Sequence, residues 1–325
     1  MKDTFGRTVD YLRLSVTDRC NLRCCYCMPE EGVPSLPHGD ILSYEELLRV
    51  AAASVRLGVR KIRVTGGEPL VRKGIVGFIR ELAELPGRPE ITLTTNGLRL
   101  AEMAAELKSA GLSRVNVSLD TMREERFVRI TRRPGLSQVL AGLEEAEKVG
   151  LVPLKVNMVP ILGVNEDEVV EFARLTLRRF WEIRFIEYMP VSDGLGFSPE
   201  QRFPAPAIME ELSRLGILLP LPRSGPAGPA RLFRYADAPG TLGVIPAVSS
   251  HFCAECNRLR VTADGRIRPC LFSDGEIDLK PSLRSGDDAA LEEALAAAVG
   301  AKPEKHRIDS AEFQPGSRRM QGIGG

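Results

Sequence analysis

The seven cysteines of this sequence fall into two short segments. The first segment, RCNLRCCYCMP, and the second, HFCAECNRLRVTADGRIRPC, contain Cys20, Cys24, Cys25, Cys27, Cys253, Cys256 and Cys270. Thiols grouped in this way can form disulfides, bind zinc, hold an iron–sulfur cluster or simply pack together. An odd number of cysteines does not fit a closed set of disulfides, and the N-terminal residues MKDTFGRTVD lack the apolar stretch of a secretory signal. We therefore expect a cytoplasmic protein whose grouped cysteines bind metal or do chemistry.

The first segment fits the pattern Cys20-x3-Cys24-x2-Cys27, with Cys25 left over. A structural zinc site needs four ligands, and Cys25 is a poor fourth ligand because adjacent residues rarely direct both side chains to one metal. Three thiolates instead suit a 4Fe-4S cluster, which four cysteines usually hold, so one iron would stay open to another ligand. The pattern therefore predicts a cluster that acts on a small molecule.

The second segment contains another triad, Cys253-x2-Cys256-x13-Cys270. Composition alone favours a zinc ribbon here, with three cysteines and His251 as the four ligands. A second iron–sulfur cluster with an open iron is the alternative, and the spacing by itself does not choose between the two.

The charge of the chain is nearly balanced, with 44 Lys and Arg residues against 43 Asp and Glu residues. A nucleic-acid-binding protein would show a basic excess, so we expect no nucleic-acid partner. Hydrophobic residues make up 43% of the chain, as in ordinary globular proteins, and no apolar run approaches the length that crosses a bilayer, so we expect no membrane partner. Any anionic ligand must be bound locally by a few cationic side chains.

Six segments with strand character alternate with helical segments over the first two thirds of the chain. The predicted strands are Tyr11–Val16, Lys61–Thr65, Glu90–Thr95, Arg114–Leu119, Pro153–Val159 and Glu182–Tyr188. Capping-box sequences at Ser43–Glu46 and Asn165–Glu168 predict two helix starts. Helix ends are predicted at Gly58, Gly111 and Gly150. Alternating units of this kind predict a parallel sheet, either doubly wound or curled toward a barrel.

Polar motifs follow these strands at their carboxyl ends. The first strand leads into the cysteines, the second into Gly66–Pro69, the third into Thr94–Gly97 and the fourth into Ser118–Asp120. The last two strands lead to Asn157 and Met189. Because parallel α/β folds gather their sites at that edge of the sheet, six such motifs together predict one site.

Four cationic side chains lie inside predicted strands rather than on helices: Arg13, Arg63, Lys155 and Arg184. A buried cation is unfavourable without a partner, so each could form an ion pair with Asp or Glu. If the four point into a common interior, they would instead form a triphosphate site, because guanidinium groups pair well with phosphate oxygens.

The strand–helix alternation stops after Met189. Leu218–Gly243 is rich in Pro and Gly and is predicted to connect two modules, with residues 1–220 as one domain and 221–325 as the other. One further helix is predicted in the segment DAALEEALAAAVG.

The first triad and the motif that follows it resemble a known superfamily. The pattern C-x3-C-x2-C with Tyr26 before the last cysteine, followed one βα unit later by GGEP, resembles the radical S-adenosylmethionine enzymes. The resemblance implies a 4Fe-4S cluster whose open iron chelates S-adenosylmethionine and whose electron cleaves it into methionine and a 5′-deoxyadenosyl radical. It also implies an α/β fold, an incomplete (β/α)6 TIM-like barrel.

Further segments resemble one family within that superfamily. FCAECNRLRVTADG, DYLRLSVTDRCNLRC, KIRVTGGEPL, NVSLDT, RFIEYMP and the final Gly-Gly are similar to the GTP 3′,8-cyclases of molybdenum cofactor biosynthesis. The resemblance implies that the C-terminal segment carries a second 4Fe-4S cluster, which binds GTP through its open iron. Hydrogen abstraction from C3′ of GTP and attack on C8 would then give (8S)-3′,8-cyclo-7,8-dihydroguanosine 5′-triphosphate.

The resemblance also implies roles for particular residues. The cluster ligands would be Cys20, Cys24, Cys27, Cys253, Cys256 and Cys270. S-adenosylmethionine would contact Tyr26, Gly67, Ser118 and Met189. GTP would contact Arg13, Arg63, Thr94, Lys155, Arg184, Arg258, Leu259 and Arg260. Catalytic roles would fall to Arg258, Arg260 and the tail glycines Gly324 and Gly325, which would enter the active site.

Partners follow from the same resemblance. It implies a flavodoxin- or ferredoxin-type reductant, a homodimer, and a cyclic pyranopterin monophosphate synthase that takes up the product. Two alternatives remain: another radical enzyme with an auxiliary cluster, such as a peptide modifier, and a zinc-stabilised binding module without chemistry.

Overall fold

The structure, a computed structural model, describes residues 1–191, 199–222, 228–308, 313 and 316–324. Twelve strands in these ranges form one sheet. They are β1 (Tyr11–Ser15), β2 (Lys61–Thr65), β3 (Glu90–Thr95), β4 (Arg114–Ser118), β5 (Leu154–Met158), β6 (Trp181–Ile186), β7 (Leu218–Pro220), β8 (Arg231–Tyr235), β9 (Thr241–Ile245), β10 (Arg258–Val261), β11 (Arg266–Arg268) and β12 (Ile277–Asp278). The six strands predicted from the sequence are thus confirmed, with ends shifted by two residues at most.

Helices occupy the connections between the strands. The α-helices of the described ranges are α1 (Tyr44–Arg56), α2 (Ile75–Ala83), α3 (Leu100–Ser109), α4 (Glu124–Thr131), α5 (Leu136–Lys148), α6 (Val169–Arg174), α7 (Ala205–Ser213), α8 (Lys280–Ser285), α9 (Asp288–Gly300) and α10 (Met320–Ile323). The predicted helix DAALEEALAAAVG is α9. Gly58, Gly111 and Gly150 follow α1, α3 and α5 with positive φ angles, as predicted for helix ends.

The sheet runs in the order β12-β11-β10-β1-β2-β3-β4-β5-β6-β9-β8-β7. Strands β1 to β6 are parallel neighbours in chain order, and the later strands β10 and β9 add in parallel to β1 and β6. Antiparallel pairs complete both ends, and no pairing between β12 and β7 closes the described sheet. This is the expected incomplete (β/α)6 barrel, enlarged by strands from the C-terminal third.

Side chains of the central strands alternate between two environments. On β1, Leu12 and Leu14 are fully buried in the hydrophobic core beneath the helices. Tyr11 and Arg13 instead line an interior cavity, because successive residues of a strand point to opposite faces. The period of two therefore separates a helix-facing apolar layer from a polar interior that can hold a ligand.

The predicted connection at Leu218–Gly243 was wrong for the residues that the structure describes. This segment contains β7, β8 and part of β9, with residues 223–227 outside the described ranges. Proline is tolerated here because Pro220 belongs to the edge strand, where no neighbour needs its missing N–H. The domain division at residues 220 and 221 stays a prediction.

The two capping-box predictions had different outcomes. Ser43 and Glu46 form the reciprocal capping box of α1. Asn165 makes no cap, since its side chain bonds the backbone of Ile161, Asp120 and Val159. This prediction was wrong because tertiary contacts occupy the side chain that would have capped the helix.

Within the described residues, no helix is both long enough and apolar enough to span a membrane.

Candidate active site

One cavity of about 690 Å³ lies at the centre of the barrel. All six cysteines of the two predicted triads line it: Cys20, Cys24, Cys27, Cys253, Cys256 and Cys270. Cys25 is absent from the lining, which agrees with its treatment as a bystander of the motif. The two sequence segments, more than 200 residues apart, therefore meet across one interior.

The first cysteine loop is held by the glycine pair that follows β2. Gly67 N–H donates to Thr17 O at 2.7 Å, and Glu68 N–H donates to Arg19 O at 2.8 Å. A Cβ on Gly67 would lie 2.4 Å from Arg19 O, so only glycine permits this approach. The close packing of the cysteine loop therefore requires a glycine at position 67.

Burial has the largest effect on the pKa values of the thiols in the first triad. It raises the pKa of Cys20 to about 11 and that of Cys27 to about 12, and it raises the pKa of Cys24 as well. Nearby carboxylates add to this effect, Asp120 on Cys24 and Glu68 on Cys20. Because metals bind the thiolate, loading this site must release protons.

Cations surround the second triad. The Arg258 guanidinium lies 3.8 Å from Cys256 Sγ, and the Lys302 ammonium is held nearby by hydrogen bonds to Arg258 O and Pro269 O. Although burial opposes ionisation, the charges of Arg258 and Lys302 lower the pKa of Cys256 to about 6. The pKa of Cys253 is raised, mainly by burial.

His251, the fourth zinc ligand considered from the sequence, lines the cavity beside this triad. Its ring packs edge-on against His306, with 5.0 Å between the ring centroids. Across the described ranges, no three His, Cys, Asp or Glu side chains converge closely enough to hold a single metal ion. A preformed Cys3His zinc centre is therefore not present in this part of the chain.

Both triads nevertheless fit an iron–sulfur cluster by their donor chemistry. Each presents three thiols to the cavity, and thiolates are the ligands such clusters use. Cys20 Sγ also accepts hydrogen bonds from Leu22 N and Asn96 Nδ2, the type of contact that tunes a cluster.

The residues predicted to contact S-adenosylmethionine all line the cavity near the first triad: Tyr26, Gly67, Ser118 and Met189. The Tyr26 hydroxyl donates to Asp120 Oδ2 at 2.6 Å, and Val159 N–H donates to Asp120 Oδ1 at 2.8 Å. Asp120 thus fixes the orientation of the aromatic ring. Sequence reasoning named Asp120 only as part of a strand-end motif.

Most residues predicted to contact GTP also line the cavity: Arg13, Arg63, Thr94, Lys155, Arg184, Arg258 and Arg260. The exception is Leu259, which alternates with the two arginines on β10 and packs into the hydrophobic core. Only its backbone could therefore approach a ligand. Arg260 is buried with its Nη1 lacking a hydrogen-bond partner, as expected for a group that awaits an anion.

Two groups in the cavity were missed because no motif marks them. Glu182 accepts from Lys155 Nζ at 2.6 Å and from Arg184 Nε, and these two cations lower its pKa to about 2 against the effect of burial. The Tyr11 hydroxyl accepts from Arg63 Nε, and the charge of Arg13 also acts on it. Both groups would be found by searching for the residue that pairs with each cation buried in a strand.

The C-terminal tail reaches the same region. Gly324 O accepts from Arg13 Nη2 at 3.1 Å, and Gly324 adopts a left-handed φ of 89°. Upstream, the Arg318 guanidinium bonds Asp264 Oδ2 at 2.8 Å and Glu276 Oε2 at 3.0 Å. The tail is thus anchored beside the cavity, while Gly325 lies outside the described residues.

Comparisons with known proteins agree with this geometry. Family models for the radical SAM superfamily and for Molybdenum Cofactor Synthesis C match residues 14–176 and 181–308. A GTP 3′,8-cyclase of Geobacter sulfurreducens is 52% identical over 323 residues, which is 99% of each chain. The chain belongs to the GTP 3′,8-cyclase family. A second member of the family, from Pelotomaculum thermopropionicum, is 49% identical over the full length of both chains.

Solved structures support the fold at lower identity. Streptococcus suis SuiB bound to S-adenosylmethionine gives a TM-score of 0.61 at 15% identity, covering 89% of this chain and 68% of that one. SuiB bound to precursor peptide SuiA gives 0.63 at 14% identity, covering 96% and 76%. Fold alone therefore does not separate the cyclase family from a peptide-binding enzyme, whereas sequence identity does.

Membership of the radical SAM superfamily brings a 4Fe-4S cluster and S-adenosylmethionine as the cofactors of the family. The individual contacts assigned above to single residues stay predictions.

Proposed function

We propose that this protein is a GTP 3′,8-cyclase, which converts GTP to (8S)-3′,8-cyclo-7,8-dihydroguanosine 5′-triphosphate in the first step of molybdenum cofactor biosynthesis. The observation that carries this proposal is the meeting of two cysteine triads across one cavity that is also lined by strand cations. A single-cluster radical enzyme would need only the first triad, and a zinc module would need no such cavity.

Each triad has a separate task in this proposal. Cys20, Cys24 and Cys27 hold the first 4Fe-4S cluster, and Cys253, Cys256 and Cys270 hold a second. With S-adenosylmethionine bound, the first cluster would supply the electron that cleaves it into methionine and a 5′-deoxyadenosyl radical. The second cluster would bind the guanine of GTP. Because both triads line one cavity, the molecules bound at the two triads would lie within reach of each other.

The strand cations bind the triphosphate. Arg13, Arg63, Lys155 and Arg184 line the cavity between the two triads, with Thr94 adding a hydroxyl donor. Before GTP arrives, Glu182 accepts from Lys155 and Arg184, which keeps the buried charges compensated. Phosphate oxygens can then take over these donors, because guanidinium groups bind phosphate and carboxylate in the same way.

Arg258 and Arg260 lie beside the second triad and face the substrate region. Arg258 is also stacked on Phe252, with 4.7 Å from its guanidinium carbon to the ring centroid, so its position is restricted. We assign these arginines to charge stabilisation at the guanine, where the final electron and proton are delivered. Gly324 bonds Arg13, and we assign catalytic roles to Gly324 and Gly325 as part of this proposal.

Other parts of the proposal concern partners. A flavodoxin- or ferredoxin-type protein supplies the electron, a cyclic pyranopterin monophosphate synthase takes up the product in the cytoplasm, and the chain forms a homodimer. The division into residues 1–220, with the first cluster, and 221–325, with the second cluster and the tail, also belongs to the proposal.

An anaerobic assay with reconstituted protein, S-adenosylmethionine, dithionite and GTP tests the function. We expect 5′-deoxyadenosine and the 3′,8-cyclised nucleotide to form together, and mass spectrometry detects both. Released 5′-deoxyadenosine with unchanged GTP would mean a different substrate. Protein that contains zinc and no acid-labile sulfide would contradict the enzyme altogether.

A further inference from the structure

Lys302 lies just after α9 and is only 4% exposed. Its ammonium group donates to Arg258 O at 2.9 Å and to Pro269 O at 2.8 Å. Its positive charge also acts on the nearby Cys256 thiol. Two backbone hydrogen bonds and a neighbouring thiol that favours the thiolate form therefore compensate the buried ammonium.

These partners belong to two separate segments of the second triad. Arg258 follows Cys256 by two residues, and Pro269 directly precedes Cys270. One ammonium group therefore ties together the two backbone segments that carry these cysteines. An apolar residue of similar length could fill the space but could make none of these bonds.

The first triad has no equivalent lysine among the contacts described for its sulfurs. Cys20 Sγ accepts from a backbone N–H and from the amide of Asn96, both neutral donors. Carboxylates Glu68 and Asp120 add negative charge near that triad. The lysine is thus a feature of the second site only.

We propose that Lys302 is a positioning residue for the second cluster, which holds the Cys256 and Cys270 segments together and raises the reduction potential of the cluster. The inference rests on the proposed function, since it requires the second cluster. A fixed positive charge close to the sulfur ligands stabilises the reduced, more negative state of a cluster. Low dielectric in the buried site strengthens the effect.

The test compares full-length, anaerobically reconstituted wild type with the variants Lys302→Met and Lys302→Arg. Lys305→Met is the matched control, because Lys305 is exposed three residues further on. Iron and sulfide analysis counts the clusters, a redox titration followed by electron paramagnetic resonance gives each midpoint potential, and S-adenosylmethionine cleavage reports on the first site.

We expect about eight irons in the wild type and in Lys305→Met, four for each cluster. Lys302→Met should retain cleavage of S-adenosylmethionine, and it should either lose about four irons or hold the second cluster at a more negative midpoint potential. Lys302→Arg keeps the charge and should retain the second cluster with a smaller shift.

Three results would overturn the inference, and they are distinguishable. Eight irons and unchanged potentials in Lys302→Met would refute the role of the lysine while leaving the proposed function intact. Loss of S-adenosylmethionine cleavage in the same variant would mean that the lysine is needed for folding of the whole protein and not specifically for the second site. About four irons in the wild type would refute the second cluster itself, and with it the two-cluster part of the proposed function.

Discussion

The two cysteine triads line the same cavity but lie in opposite electrostatic environments. Around the first triad, burial and the carboxylates of Glu68 and Asp120 disfavour thiolates, and the pKa of Cys20 is raised to about 11. Around the second, Arg258 and Lys302 favour the thiolate of Cys256 and lower its pKa to about 6. The difference lies in the surroundings, since both triads present three thiols.

This contrast matches the ligands that we assign to the two sites. S-adenosylmethionine carries a positively charged sulfonium, which suits an environment with carboxylates. GTP carries a triphosphate, which must be compensated by fixed cations because the chain as a whole is nearly neutral. In our proposal the strand cations compensate the triphosphate, whereas Arg258 and Arg260 beside the second triad act at the guanine.

The largest effect is expected when one cysteine of either triad is replaced. Cys24→Ala should abolish S-adenosylmethionine cleavage, because the first cluster loses a ligand. Cys256→Ala should retain at least part of that cleavage while losing GTP turnover. Quantifying 5′-deoxyadenosine and the cyclised nucleotide in each variant measures both activities.

Cys25→Ala provides the control for this pair, because Cys25 does not line the cavity. It should retain both activities. Equal loss of both activities in Cys24→Ala and Cys256→Ala would mean that the two sites do not act separately.

A smaller effect is expected at Gly324 of the tail, whose carbonyl bonds Arg13, one of the residues assigned to GTP. In Gly324→Ala the new Cβ would lie 2.8 Å from Thr65 Oγ1, and the left-handed backbone would cost about 1–2 kcal/mol. We expect cyclisation to fall by roughly tenfold, since 1.4 kcal/mol corresponds to a factor of ten. S-adenosylmethionine cleavage should change little.

Gly322→Ala is the matched control, because a Cβ there meets no atom within 4 Å. The two variants should therefore differ in their rates of cyclisation, as measured by steady-state assays. If the Gly324→Ala variant cyclised GTP at the wild-type rate, the ordered tail would have no role in the reaction.

Tyr11 should affect GTP binding without affecting the first triad. Tyr11→Phe removes a hydroxyl that bonds Arg63. Hydrogen bonds to charged groups contribute about 1.5–3 kcal/mol, so the KM for GTP should rise by roughly tenfold or more. Tyr235→Phe, whose hydroxyl bonds Leu212 O away from the cavity, should leave this KM unchanged. A change in kcat alone would argue against a positioning role.

The smallest effect concerns pH. Burial alone would raise the pKa of Tyr11, but the charges of Arg63, Arg13 and Lys61 outweigh it and lower the pKa to about 7. A phenolate would compete with the triphosphate for these cations, so GTP binding should favour the protonated phenol. The KM for GTP should therefore rise as the pH increases through about 7, and less steeply in Tyr11→Phe. Parallel pH profiles for the two proteins would refute this coupling.

Much of this arrangement could be predicted from the sequence because local patterns determine it. Strand patterns placed Arg13 and Arg63 inside predicted strands, and the spacing of the first triad indicated a cluster with an open iron, whereas the spacing of the second triad left zinc and a cluster as alternatives. Each of these signals lies within a few residues of chain. The prediction that the two triads meet in one site came from the family resemblance rather than from periodicity.

Features that depend on distant contacts could not be predicted in this way. Asn165 has the sequence of a helix cap, yet the backbone of neighbouring segments takes its side chain. Leu218–Gly243 has the composition of a linker, yet the edge of the sheet recruits it as strands. Lys302 belongs to no motif, since its partners come from two other segments of the chain.

Transfer of hydrogen between the two bound molecules tests the central claim most directly. GTP labelled with deuterium at C3′ is incubated anaerobically with the reconstituted protein, S-adenosylmethionine and reductant, and the 5′-deoxyadenosine is analysed by mass spectrometry. If the two triads hold their ligands face to face in one cavity, the 5′-deoxyadenosine should gain one deuterium. Unlabelled 5′-deoxyadenosine formed alongside the cyclised nucleotide would contradict the account.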